Sequence, residues 1–321
     1  MHDSAPRLVS DIGGTNARFA LVAPGSLAPQ EEKTLLCADF PGPVEAARHY
    51  LSLVGNPRVR EAAFDVATGI TGDFVQLTNG PWGFSIEQTQ RSLGFERLQV
   101  INDFTALALG VPLLGPDEKR QVGTGTPVPG TAVGVIGAGT GLGVSGLVPH
   151  RGRWIAIQGE GGHTAFSPMT PREDAVLRFG RERFGSHVST ERLVSGPGLK
   201  TLYEALCELD GANAIALQPA QIAECALAGS DRHCCEALAM FCALLGTAAA
   251  NLAAVLGARG GVYIGGGIVP KLGGYFERSA FRTRFEDKGR FRAYVSTIPT
   301  YVILAETIAL RGLATALESG E

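Results

Sequence analysis

Asp11-Ile12-Gly13-Gly14-Thr15-Asn16 sets a carboxylate, a glycine pair and a hydroxyl between two apolar runs, Leu8-Val9 and Phe19-Ala20-Leu21-Val22. That order reads as strand, tight glycine turn and strand, with the turn's backbone amides open to an anion. An aspartate at the entrance can hold a metal ion directly or through water, which points to a nucleotide phosphate as that anion. The stretch is neither a Walker loop nor a dinucleotide fingerprint. No lysine-serine or lysine-threonine pair closes a phosphate loop, and the chain returns to a strand where either motif would open a helix.

A second unit of the same kind follows, Gly137-Ala138-Gly139-Thr140-Gly141-Leu142-Gly143, between apolar runs 132–136 and 144–148. Either turn alone is an ordinary hairpin; two together offer two sets of amides and two threonine hydroxyls to one polyphosphate. Gly265-Gly266-Gly267 comes directly after a buried-type strand at 261–264. Missing side chains there suit close approach of a flat ring or a ribose, and equally a strand-to-helix turn.

Asn102-Asp103 is the best catalytic candidate. A short strand (98–101) ends there and a helix (104–109) begins, so Asp103 takes the N-cap position, which alone would explain it. The chemical reading is a carboxylate that accepts a proton from an alcohol attacking a γ-phosphate, kept ionised by helix-terminal amides. Glu160 and His163, in Gly159-Glu160-Gly161-Gly162-His163, suit the hydroxyls of a polyol. They also resemble two zinc ligands, but no third lies at a convincing spacing. Glu191 in Ser189-Thr190-Glu191-Arg192-Leu193 has a plain capping-type explanation.

These groups need a scaffold, and 321 residues are enough for two domains. With 45% hydrophobic and 18% charged residues and 43 glycines, the chain describes a turn-rich globular protein with ample core material. The net charge of -3, with scattered basic residues, excludes a nucleic-acid footprint. The polar start shows no signal-type apolar region. Residues 237–256 are uncharged and long enough to span a bilayer. They contain Gly246, Thr247 and Asn251 and run into Gly257-Ala258-Arg259-Gly260-Gly261, so a helix buried between layers is the reading, with no membrane partner. Six cysteines without a CxxC pair read as reduced thiols in a cytoplasmic protein, His233 beside Cys234-Cys235 notwithstanding.

Further elements are a helix at 44–54, strands at 62–67, 73–77 and 82–85, helices through 171–256, and a strand (301–304) before a final helix. Residues 112–130, rich in glycine, proline and charge, read as a passage between domains. Two halves that each begin with strand, glycine-and-threonine turn and strand suggest a loose duplication.

On DIGGTNARFAL (11–21), TNGPWGFSI (78–86), INDFTALALG (101–110), GAGTGLGV (137–144), GEGGH (159–163), ERLVSGPGL (191–199), YIGGGIVPKL (263–272) and FEDKGRF (285–291), the chain resembles the bacterial glucokinases. These belong to the ATP-dependent hexokinase group of the actin/sugar-kinase/Hsp70 superfamily, and the resemblance covers essentially the whole length. It implies an α/β fold of two ribonuclease-H-like (actin-like ATPase) domains flanking a cleft: a small one from 1–110 plus 301–321 and a large one from 111–300. Asp103 would be the base for the sugar's 6-hydroxyl. Asn102, Glu160, His163 and Glu191 would hold the other hydroxyls, with Asn79 near the sugar. Asp11, Ile12, Gly13, Gly14, Thr15 and Asn16, with Gly139, Thr140 and Gly141, would bind ATP phosphates and Mg2+, Asp11 meeting the metal through water. Gly265, Gly266 and Gly267 would lie near adenosine. A cytoplasmic homodimer that carries out the first step of glycolysis is implied as well.

The chain departs from the related repressor/kinase family, which carries a CxCGxxGCxE zinc motif near the sugar-binding pair. There is no cysteine between Cys37 and Cys207, so no structural zinc is expected. The phosphate motif begins at residue 11, which leaves no helix-turn-helix extension for a transcriptional repressor. Two other readings stand beside glucose phosphorylation. One is a non-catalytic sensor on the same fold, against which the retained Asp103 argues. The other is a kinase led by mannose, fructose or glucosamine. Polyphosphate is an alternative donor, but the glycines at 265–267 favour a nucleoside.

Overall fold

The computed structural model describes residues 5–78 and 80–318 of the chain. They form two compact units, one running to Pro116 with Ala156–Gln158 and the segment from Ala305, the other spanning Asp117–Ile155 and Gly159–Leu304.

In the first unit, β1 (Arg7–Ile12), β2 (Asn16–Val22) and β3 (Pro29–Leu36) are joined by β4 (Glu61–Val66), the short pair β5 (Phe74–Gln76) and β6 (Gly83–Ser85), and β7 (Arg97–Asn102). The main sheet has the order β3-β2-β1-β4-β7. β1–β2 and β2–β3 are antiparallel, while β1–β4 and β4–β7 are parallel. Alternation along the strands sorts side chains onto two faces. Leu8, Ile12, Phe19, Phe64 and Val66 pack with Ala46, Ala47 and Tyr50 of α1 (Pro43–Leu53). The Phe19 ring stacks on Tyr50 at 5.4 Å. α2 (Ile86–Leu93) follows β6, and α3 (Asp103–Gly110) leaves β7. The parallel strands also meet the last helix of the chain, Ile308–Glu318, which packs on β1, β4 and α3.

The second unit begins with β8 (Lys119–Val122), β9 (Val133–Ala138), β10 (Leu142–His150) and β11 (Arg153–Gly159). Four long helices follow: α4 (Pro171–Phe184), α5 (Gly196–Leu209), α6 (Pro219–Ala228) and α7 (Arg232–Leu256). β12 (Val262–Gly265), the short helices α8 (Val269–Leu272), α9 (Gly274–Arg278), α10 (Phe281–Glu286) and α11 (Arg292–Ser296), and β13 (Thr300–Ile303) complete it. The final helix, α12, is the one from Ile308. The sheet order is β11-β10-β9-β12-β13-β8. Its first five strands repeat the order of the first unit, with β9–β10 antiparallel and β9–β12 and β12–β13 parallel. The duplication read from two glycine hairpins is therefore a duplication of topology.

The uncharged segment is the inner part of α7, which Asp231 caps by accepting from the Cys234 amide. It packs against α5, α6 and α10. Its apolar residues are the core of the second unit, from Cys234 and Ala237 through Ala253.

All six thiols are free; Cys37, Cys207, Cys234 and Cys242 are buried, Cys225 and Cys235 only partly. Burial pushes the Cys234 and Cys242 thiols up to about 12, and those of Cys37 and Cys207 upward as well. A raised thiol stays protonated at pH 8 and cannot attack a disulfide reagent. Native protein treated with DTNB at pH 8 is expected to release dye from no more than Cys225 and Cys235, and from all six once unfolded. Rapid labelling of a third thiol in the native state would contradict the burial of Cys37, Cys207, Cys234 and Cys242.

Two sequence expectations need correction. Asn102, not Asp103, is the N-cap of α3: its side chain accepts from the Phe104 amide, and Asp103 opens the helix itself. The segment 112–130 is not only a passage, because β8 lies within it and pairs antiparallel with β13.

Candidate active site

In the first unit the hairpin β1–β2 closes through Gly13 and Gly14. The Gly13 amide donates to Asn16 O at 2.9 Å, and the Cys37 amide to Thr15 O at 2.8 Å. Thr15 and Asn16 are exposed, Asp11 partly so, and Ile12 faces the core. Asn79 lies outside the described residues. Its neighbour Gly80 backs onto the turn: a Cβ there would stand 3.0 Å from Gly14 Cα. Thr78 Oγ1 donates to Thr68 Oγ1 at 3.2 Å, and Asn102 Nδ2 to Thr68 O at 3.3 Å. Side chains of residues 68, 78 and 102 are thus linked around the start of α3. The carboxylate of Asp103 accepts from the Phe104 amide at 2.9 Å, so it sits in the helix-terminal field that favours its charge.

One residue at this end of the sheet escaped the sequence reading. Asp65 on β4 stands beside Asp11 in the β1–β4 register and is fully buried. Neither of its oxygens has a hydrogen-bond partner. The Asp11 carboxyl and the Ile12 amide come near without closing a proper bond. Burial, then the charges of Asp11 and Asp103, push the Asp65 carboxyl well above the usual carboxylate range. Its only sequence signal was an acid in an otherwise apolar strand, Ala62-Ala63-Phe64-Asp65-Val66.

The magnesium implied by the resemblance has to be met here. Among the described residues, no group of three or more His, Cys, Asp or Glu side chains can hold a metal by itself. The carboxylates instead fit an ion whose remaining positions are filled by phosphate oxygens and water, as magnesium with a nucleotide prefers.

In the second unit the turn after β9 is held from two sides. Gly139 N donates to Gly141 O and Gly196 N to Gly139 O, both at 2.8 Å. Glu191 Oε2 accepts from the Leu142 amide at 2.8 Å. A Cβ at 141 would stand 2.5 Å from that carboxylate and displace it, so glycine at 141 leaves Glu191 its bond to Leu142. Thr140 is exposed. A cavity of about 270 Å³ beside it is lined by Glu191, Arg183, Arg192 and Lys200, among others. Glu160 and His163 lie on one short turn, Glu160 Oε2 and His163 Nε2 4.0 Å apart and both side chains 59% exposed. The Thr190 amide donates to Thr164 O at 2.8 Å, so the loops carrying His163 and Glu191 are tied together. Glu160, His163 and Glu191 therefore share one region of the second unit with Gly139, Thr140 and Gly141.

Gly265 ends β12 opposite Gly137. Gly266 has φ +78°, and a Cβ on it would overlap Ala138. Close packing against β9 thus explains Gly266. Gly267 is exposed with open space around it.

Two sheets of one topology, each closing its first hairpin with a glycine turn suited to phosphate, define an actin-like phosphotransferase of the sugar-kinase class. The Glucokinase family model matches residues 8–320, and the chain belongs to that family. It is 54% identical to a glucokinase of Chromobacterium violaceum over 96% of this chain and 88% of that one. With a glucokinase of Aromatoleum aromaticum it shares 52% identity over 99% and 96% of the two chains. Among solved structures, a glucokinase from an Antarctic psychrotroph superposes with a TM-score of 0.89 at 36% identity, covering 99% of this chain and all of that one. A ROK-family glucokinase from Streptomyces griseus, 19% identical, shares the fold with a TM-score of 0.64 over 98% and 99% of the chains. The activity that goes with this membership is ATP-dependent phosphorylation of glucose.

Proposed function

We propose that Asp103 is the general base of this reaction and that the chain carries out the first step of glycolysis. The observation that carries the reading is the position of Asp103 in the first turn of α3, where the Phe104 amide holds one carboxylate oxygen. Its carboxylate takes the proton of the glucose 6-hydroxyl as that oxygen attacks the γ-phosphorus. The bond from the γ-phosphorus to the β,γ-bridging oxygen breaks, and ADP leaves with the electron pair.

Asn102, Glu160, His163 and Glu191, with Asn79, hold the remaining hydroxyls and present the 6-hydroxyl alone for transfer. Asn102 reaches the sugar with the Nδ2 hydrogen that its bonds to Thr68 O and the Phe104 amide leave over. The turns 11–16 and 139–141 bind the phosphates, and residues 265–267 accept the adenosine end, chiefly at Gly267. Asp11 would hold magnesium through water, and the ion would supply positive charge to offset that of the phosphates. Domain closure on glucose excludes water and aligns the hydroxyl with the γ-phosphate. By the same resemblance the enzyme is a cytoplasmic homodimer.

Initial rates over a panel of glucose, mannose, fructose and glucosamine with Mg·ATP test the reading. Glucose is expected to give the highest kcat/KM by at least tenfold, and polyphosphate to replace ATP poorly. A mannose- or fructose-led panel would overturn the assignment to glucose.

A further inference from the structure

We propose that Asp65 is a second carboxylate for the nucleotide-bound cation, acting beside Asp11; the inference rests on the kinase reading above. Three observations carry it. Asp65 and Asp11 are partners in the parallel β1–β4 register, so their side chains leave the same face of the sheet side by side. Asp65 is fully buried with both oxygens unpartnered, an arrangement that calls for an explanation, and a bound ion is one that supplies the missing partner. The charged groups acting on it are the carboxylates of Asp11 and Asp103. The arginine opposite Asp11, Arg18 on β2, forms no ion pair with either carboxylate among the described residues; its guanidinium donates to Glu306 O at 3.1 Å.

A cation resolves all three. Magnesium takes one or two protein carboxylates and completes its shell with phosphate oxygens and water. Asp65 then meets the ion through a water of that shell or orients the Asp11 carboxylate toward it. In either case it is a positioning residue for the metal. Its own burial lowers the local dielectric on its side of the pair, which strengthens the attraction.

The test uses Mn2+ as the probe, in the presence of ADP, with binding read by electron paramagnetic resonance on the full chain. Asp65→Asn is close in size to the native residue. It is expected to weaken Mn2+ binding about tenfold to a hundredfold, the usual effect of losing an outer-shell partner. ADP affinity without metal should stay within about twofold. Removing an uncompensated buried acid should also leave the metal-free melting temperature unchanged or raised. Asp65→Ala serves if the Asn variant misfolds, with the same expectation. Unchanged Mn2+ affinity in a folded variant overturns the inference. The kinase reading fails separately, if the unaltered enzyme does not phosphorylate glucose.

Discussion

Asp103→Asn is expected to lower kcat on glucose by roughly 10²- to 10⁴-fold, the range for loss of a general base. Glucose affinity by calorimetry should stay within a few-fold. The substitution is gentle to the fold. An asparagine oxygen can still accept the Phe104 amide, as the native carboxylate does at 2.9 Å, and Asn102 continues to cap α3. What is lost is the ability to take a proton. At about 1.4 kcal/mol per tenfold, the loss corresponds to about 3–5 kcal/mol of barrier. A variant that keeps near-native kcat would remove Asp103 from the mechanism and reopen the search at Glu160 and Glu191. A variant that loses glucose binding along with turnover would make Asp103 a binding residue first.

The second large effect lies far from the chemistry in sequence. α12 crosses α3 so closely that a Cβ on Gly312 would overlap Ala106 O, and one on Gly110 would overlap Ile308 O. Gly312→Ala must therefore push the two helices apart. Helix propensity alone favours alanine by about 1 kcal/mol, so the sign of the result is informative. Overpacking of this kind costs about 1–3 kcal/mol or more, and the net expectation is a fall in melting temperature of several degrees. Asp103 opens α3, so the shift also moves the proposed base. A displacement near 1 Å is enough for about a hundredfold in rate. An unchanged or higher melting temperature for Gly312→Ala would show that the two helices can part without strain.

How much of this was legible beforehand follows from where the signal resides. Strands β1, β2, β9, β10 and β12 are apolar runs stopped by glycine, and both hairpins were read correctly because glycine turns are a local signal. β3 was missed. Its exposure pattern is almost wholly solvent-facing, with Glu31, Glu32 and Lys33 along an edge, which leaves no period-2 alternation to see. β8 was hidden in a charged, proline-rich stretch, since an edge strand is specified by its partner β13 rather than by itself. The cap of α3 was misplaced by one residue because asparagine and aspartate cap equally well. Sequence spacing found Glu160 and His163 but not their connection to Glu191, which runs through main-chain bonds between two distant loops. Asp65 was overlooked because a single acid in a strand becomes informative only with the neighbouring strand's register.

The bond from the Leu142 amide to Glu191 has a consequence for the order in which ligands meet the enzyme. On the roles proposed above, one carboxylate is a strut for the turn assigned to phosphate and also a group assigned to the sugar. A ligand that draws Glu191 toward itself alters the strut, and a ligand that tightens the turn reshapes the carboxylate's reach. Two occupants sharing a support cannot bind independently, and thermodynamics obliges each to change the other's affinity by the same factor. On the proposed roles, sugar and nucleotide would be linked within a single loop, before any larger motion is invoked.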